Sequence, residues 1–127
     1  MDLALESGDG LLLAKLTGRV SCSEAIELCK NISDAAAERG FGKILLDCLA
    51  VEGELSIMER YEIGKTMAQN CRTRSRTPTV ALIGKPPTIT GFEADVAMNR
   101  GLLVVKFSER QAGLDWLKAF GSKSTAL

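Results

Sequence analysis

The sequence predicts an α/β domain on a mixed, mostly parallel sheet of about five strands with about four helices. Three observations predict it. The run Lys43–Cys48 holds a continuous apolar stretch, Ile44-Leu45-Leu46, entered after Gly40-Phe41-Gly42 and followed by Asp47. Successive strand residues point to opposite faces, so an unbroken apolar run marks an interior strand covered on both sides. Short apolar runs recur at Thr79–Ile83 and Leu102–Phe107, each separated from the last by residues at helical spacing. That alternation is the signature of parallel crossover units. The chain of 127 residues, with 46% apolar and 25% charged residues, is large enough for one core without a metal or disulfide staple.

The elements follow in order. Leu3–Glu6 reads as an edge strand, Ser7–Gly10 as a turn, and Leu11–Leu16 as a stronger strand, together an antiparallel hairpin. Ser21 with Glu24 three residues on fits a capping box. Cys22, Ala25, Ile26, Cys29, Ile32, Ser33 and Ala36 then mark one face of a helix ending near Arg39, with Gly40 as its left-handed stop. After the Lys43–Cys48 strand, Leu49–Leu55 reads as a loop containing Gly53. A second helix starts at Ser56, again with an acid three residues later at Glu59, and its inward face runs Ile57, Tyr61, Gly64, Ala68 and Cys71. A basic connector, Arg72 to Pro78, precedes the Thr79–Ile83 strand, and Gly84-Lys85-Pro86-Pro87 forms a stiff loop. Thr90–Asn99 is a third helix with Phe92 and Val96 inward, closed by Gly101. Leu102–Phe107 is the last strand. Ser108 caps a final helix with Ala112, Trp116, Leu117 and Phe120 inward. Residues 1–121 read as one domain and 122–127 as a flexible C-terminal tail.

Composition excludes several classes. Lysine plus arginine equals aspartate plus glutamate at 16 each, so the basic surplus of a general nucleic-acid binder is missing. No apolar run approaches the ~20 residues of a membrane span, and the start lacks the pattern of a signal peptide. Histidine is absent, and Cys22, Cys29, Cys48 and Cys71 form no Cys-x-x-Cys pair. No metal site and no cofactor is expected, and the cysteines read as core residues in a reducing cytoplasm.

The candidate chemistry is thin. Asp47 ends the central strand as predicted, where ligands of open α/β sheets gather; its plainer role is to accept backbone amides of the following segment. Ser56 is a phosphoacceptor candidate, since a helix N-terminus favours phosphate. Glu52, Glu54 and Glu59 oppose a dianion there, and a plain N-cap serine explains the residue equally well. Cys48 lacks a histidine base and has a carboxylate neighbour, which disfavours a thiolate nucleophile. Arg72, Arg74 and Arg76 form an alternating basic segment that reads as a solvated connector. Gly84-Lys85-Pro86-Pro87 is not a phosphate loop.

The combination of Leu45-Leu46-Asp47-Cys48 through Gly64, Asn99-Arg100-Gly101, a strand ending in Phe107, and Trp116-Leu117 resembles the bacterial SpoIIAA-like proteins of the STAS superfamily (sulfate transporter and anti-sigma factor antagonist domain). The resemblance spans nearly the whole chain. It implies a right-handed superhelix of strand–helix turns with the strands in roughly sequential order, the first antiparallel. It also implies a non-catalytic cytoplasmic regulatory module that binds a protein partner, of the regulatory kinase or anti-sigma type. The superfamily's switch serine or threonine aligns with Ser56. The surrounding Asp-Ser-Ser-Gly pattern is replaced by Leu55-Ser56-Ile57-Met58, which removes the usual kinase-recognition signature. Asp47, Gly53, Ser56 and Tyr61 are therefore the candidate partner- or ligand-binding residues, with Asp47 and Ser56 expected on one rim.

A second reading is a small apolar-ligand or lipid-binding protein, motivated by Ile57, Met58, Tyr61, Met67, Phe92 and Met98 in the second and third helices. A third is an enzyme using Asp47 and Cys48. The balanced charge and exposed helix faces also leave room for a homodimer.

Overall fold

The computed structural model describes residues 1–72 and 77–120; Arg74, Arg76 and the tail 122–127 lie outside the described residues, as does the side chain of Arg72. Five strands, β1 (Asp2–Gly8), β2 (Leu11–Arg19), β3 (Lys43–Glu52), β4 (Thr79–Ile83) and β5 (Val104–Phe107), form one sheet in sequential order. β1 runs antiparallel to β2, and every later pairing is parallel. The helices are α1 (Cys22–Arg39), α2 (Ile57–Arg72), α3 (Phe92–Asn99) and α4 (Arg110–Ala119).

Alternation along the strands divides the core in two. Leu12, Ala14, Ile44, Leu46, Cys48, Val80, Leu82 and Val104 face α1, α2 and α3 in the larger layer. Leu11, Leu45, Ala81 and Ile83 face Leu117 of α4 in the smaller one. Three crossovers stepping in one direction put their helices on one face, and the closing α4 covers the other. Ile44, Leu45 and Leu46 are all buried, as an interior strand requires.

Several boundaries depart from the sequence reading for definite reasons. The hairpin turn contracts to Asp9-Gly10, both with positive φ (55° and 76°), a geometry that matches strand twist and lets β1 run to Gly8. β3 continues through Leu49–Glu52, where a loop was expected. There Thr17–Arg19 of β2 pair with Ala50–Glu52 after a register shift between Lys15 and Thr17. Asp47 thus sits in mid-strand. Ser21 caps α1 as predicted, its Oγ accepting from the Glu24 amide (3.5 Å). β5 starts at Val104, and α4 is preceded by Glu109 without a side-chain cap.

The faces of α2, α3 and α4 match expectation at Gly64, Ala68, Cys71, Val96 and Leu117 and depart from it elsewhere. In α2 the buried stripe begins at Arg60 and continues through Ile63, Met67, Ala68 and Cys71, leaving Ile57 exposed. In α3 the inward positions are Glu93, Ala94, Val96 and Ala97, so Phe92 turns outward. In α4 Gly113 and Leu117 face in while Ala112 and Phe120 are exposed.

Gly64 lets α2 and α3 meet closely: a Cβ there would lie 2.4 Å from the Glu93 carbonyl and 3.0 Å from Val96 Cβ. Gly64→Ala would gain about 1 kcal/mol of helix propensity, against about 1–3 kcal/mol for forcing the helices apart. We expect a net loss of stability in urea denaturation. A variant as stable as the parent would show that the helices separate freely.

Candidate functional site

The first turn of α2 is built by a complete capping box. The Glu59 amide donates to Ser56 Oγ (3.1 Å), and the Ser56 amide donates to Glu59 Oε1 (2.9 Å). Two N–H groups that a helix start would leave unpaired are thereby satisfied. Ser56 is exposed, and the next two side chains stand in water: Ile57 is 71% and Met58 68% exposed. Glu52 and Glu54 are exposed just upstream.

One turn into α2 the chemistry inverts. Arg60 is a buried cation, 4% exposed, and Glu93 at the start of α3 is a buried acid, 3% exposed. Arg60 Nη1 donates to Glu93 Oε2 (2.9 Å) and the Thr88 carbonyl (2.6 Å), and Nη2 donates to the Pro87 carbonyl (2.6 Å). Glu93 Oε1 in turn accepts the Gly91 amide (2.8 Å). Thr88 Oγ1 donates to the Gly53 carbonyl (2.6 Å). The segments following β3 and β4 and the first turns of α2 and α3 are thus bonded into one rim. Gly53 holds φ 111°, and a Cβ there would meet Val20 Cγ1 at 2.9 Å, so this corner admits only glycine without strain.

The four candidate residues do not gather as expected. Gly53 and Ser56 belong to this rim. Tyr61 is half-buried further along α2, where its hydroxyl accepts from Arg100 Nη2 (2.6 Å) under a cation–π contact of 5.4 Å. Asp47 lies on the opposite face. Its neighbour Leu45 packs in the α4 layer, and its own carboxylate meets Arg110 of α4 (3.4 Å), while Oδ1 accepts the Leu49 amide (3.0 Å). The expectation that Asp47 and Ser56 share a rim is corrected: the extension of β3 places Asp47 before the strand end, and strand alternation turns it away from α2. Its carboxylate does the plain work foreseen, accepting a backbone amide.

Cys48 faces the larger core layer and is 6% exposed. Burial, with smaller contributions from Cys29, Asp47 and Glu93, pushes its thiol pKa up, and burial raises Cys29 to about 12. Neither is poised as a thiolate at neutral pH. Among the described residues, no group of three or more Cys, Asp or Glu side chains is arranged to hold a metal.

The chain aligns with the crystal structure of an anti-sigma factor antagonist from Mycobacterium paratuberculosis at a TM-score of 0.65 and 14% identity, over 92% of this chain and 93% of that one. The fold is SpoIIAA-like. No family model matches the sequence, and no curated protein does. At such low identity the likeness carries the fold and leaves function to the residues of this chain.

Sequence reasoning missed Arg60 and Glu93. Nothing local distinguishes Arg60 from an exposed helical arginine. Thr90 and Glu93 carried a readable signal, the Thr-x-x-Glu spacing of a helix start, and Thr90 Oγ1 does lie 3.4 Å from Glu93 Oε1.

Arg60→Met strands a buried carboxylate and is expected to cost about 3–5 kcal/mol. Glu93→Met alone is expected to be similarly damaging. The double variant should cost clearly less than the sum, with a coupling of about 1 kcal/mol or more in urea denaturation. Additive losses would mean that the two charges do not act as a pair.

Proposed function

We propose that this protein is a non-catalytic regulatory module that binds a protein partner through the rim at the start of α2. The observation that carries the reading is the pair Ile57 and Met58, the two most exposed large apolar side chains among the described residues, held on a capped and braced helix start. Leaving two such side chains in water forgoes about 1.5–3 kcal/mol each, a cost that a docking partner recovers by covering them. The SpoIIAA-like fold supports the same reading, since the aligned neighbour is named an anti-sigma factor antagonist. By that analogy the partner is of the regulatory kinase or anti-sigma type. Gly53 shapes the surface, Ser56 caps it, and Tyr61 flanks it on the next turn. Asp47 is left out. Free thiols at all four cysteines suit a reducing cytoplasm.

In this reading Ser56 is a structural cap first. Phosphorylation would place a dianion where Glu59 already supplies a carboxylate to the helix N-terminus, with Glu52 and Glu54 close in sequence, and like charges oppose it.

The apolar-ligand alternative is not favoured. Of the side chains it relied on, Ile57, Met58, Phe92 and Met98 are exposed, and Phe92 and Met98 line only an open surface groove that also carries Thr90, Asp95 and Lys106. The interior spaces around Met67 hold about 20 Å³ and about 40 Å³, room for water-sized contents. An acyl ligand needs a site of roughly 300 Å³ or more.

Affinity capture from the native host, followed by mass spectrometry, tests the proposal. Wild type, Ser56→Ala and Ser56→Asp are expected to retain the same specific protein. The double variant Ile57→Ser/Met58→Ser is expected to lose it by tenfold or more while unfolding at the parent's urea midpoint. A capture profile unchanged in the double variant would remove this rim as the docking surface.

A further inference from the structure

The sheet ends at β5 in an edge flanked on each side by partly exposed apolar side chains. The Leu103 carbonyl accepts from the Val80 amide (2.9 Å), and the Phe107 carbonyl accepts from the Gly84 amide (3.0 Å). In a parallel pair alternate residues bond the neighbour and those between them turn outward, so Val104 and Lys106 aim their N–H and C=O groups at the open edge while Val105 bonds β4. On one side of that edge lies a groove of about 480 Å³ between α3 and β5, lined by Phe92, Met98, Asp95 and Lys106 among others. Phe92 is 40% and Met98 46% exposed there. On the other side stand rings in tilted contact: Phe107 and Trp116 have centroids 5.6 Å apart, and Trp116 and Phe120 5.5 Å. A strand laid against β5 would meet aromatic rings on one side and a mixed groove, apolar at Phe92 and Met98 and charged at Asp95 and Lys106, on the other.

We propose that the missing neighbour is β5 of a second copy, paired antiparallel across a two-fold axis to give one continuous sheet. The strand Val104-Val105-Lys106-Phe107 meets its own requirement: Val104 packs in the α3 layer and Phe107 in the α4 layer, so alternation puts Lys106 on the groove side and Val105 on the ring side. In register, Val104 faces the second copy's Lys106, and Val105 faces its own equivalent. The outward backbone groups of both strands are then satisfied. Charge selects this occupant. The groove carries one acid, Asp95, and one base, Lys106. A two-fold axis presents each to the opposite charge of the other copy, the self-complementarity an isologous contact needs. The same lysine discourages unrelated strands, because an edge lysine must be neutralised before the edge can be buried. Lys106 Nζ makes an exposed contact to Ser108 Oγ (3.2 Å) and can be redirected at little cost. This inference is independent of the α2 rim, which points elsewhere on α2.

Sedimentation velocity on the purified chain, from about 1 to about 300 µM, tests it, since self-association is concentration-dependent. The expected result is a monomer–dimer equilibrium that weakens at high salt. Lys106→Pro removes an outward N–H, which edge strands tolerate, together with the lysine charge, and is expected to weaken the dimer by about tenfold or more. Asp95→Lys and Lys106→Asp should each be monomeric alone, and an equimolar mixture should recover a dimer, because opposite charges then meet only between unlike copies. This mixing arm decides the matter even if the proline variant is unstable. A monomer at every concentration, with the edge left to some other strand, overturns the proposal. So does a dimer indifferent to all three substitutions.

Discussion

The buried pair of Arg60 and Glu93 is the constraint around which this molecule is arranged. Taking a guanidinium and a carboxylate out of water costs several kcal/mol per ion. The pair survives because three Arg60 N–H bonds and both Glu93 oxygens have partners. Arg60 spends its fork on two backbone carbonyls as well as on Glu93, and Glu93 takes the Gly91 amide on its other oxygen. The ion pair is therefore less a source of net stability than a specification. Only one arrangement of α2, α3 and the connection between β4 and α3 satisfies both charges. Gly64 permits the close helix approach that this requires, and Thr88 extends the bracing to Gly53.

That bracing gives the rim its character. Loops at the end of a sheet are usually the easiest part of a domain to open. Here a helix start with two large apolar side chains in water is tied to the core one turn away. A rigid, preorganised apolar projection loses little entropy when a partner covers it. The same helix pair sets the opposite limit of the molecule. Because Glu93 occupies the inward position at the start of α3, Phe92 is turned out along the β5 edge. One buried charge thus shapes two separate surfaces.

Much of the fold was legible in the sequence. The unbroken Ile44-Leu45-Leu46 run identified the central strand, Ser21 and Gly40 marked the two ends of α1, and the Gly-Asp-Gly of Ser7–Gly10 marked the hairpin, whose turn the structure narrows to Asp9-Gly10. These are local signals, carried by alternation, capping and turn chemistry. The errors share a different cause. β3 outran its predicted end because its last residues are held by a register shift in β2, a pairing that no local pattern encodes. Phe92, Ile57 and Phe120 were placed inward because large apolar residues usually are, whereas Arg60 and Glu93, which do face inward, would ordinarily be placed outside. The capping serine of the candidate site was readable. Its company was not: strand alternation sends Asp47 to the α4 face, and that depends on where β3 lies rather than on what surrounds Asp47 in the chain.

Native-state hydrogen exchange of the connection between β4 and α3 tests the central claim most directly. Lys85, Pro86 and Pro87 are exposed, yet the Ile89 amide donates to the Lys85 carbonyl (2.9 Å) and the Gly91 amide to Glu93 (2.8 Å), directly beside the buried pair. If Arg60 and Glu93 lock this segment, both amides should exchange with an opening free energy within about 1 kcal/mol of that of Ala68 in the core of α2. Exchange close to the rate of an unprotected loop would contradict the account, because the rim would then open without disturbing the pair said to hold it.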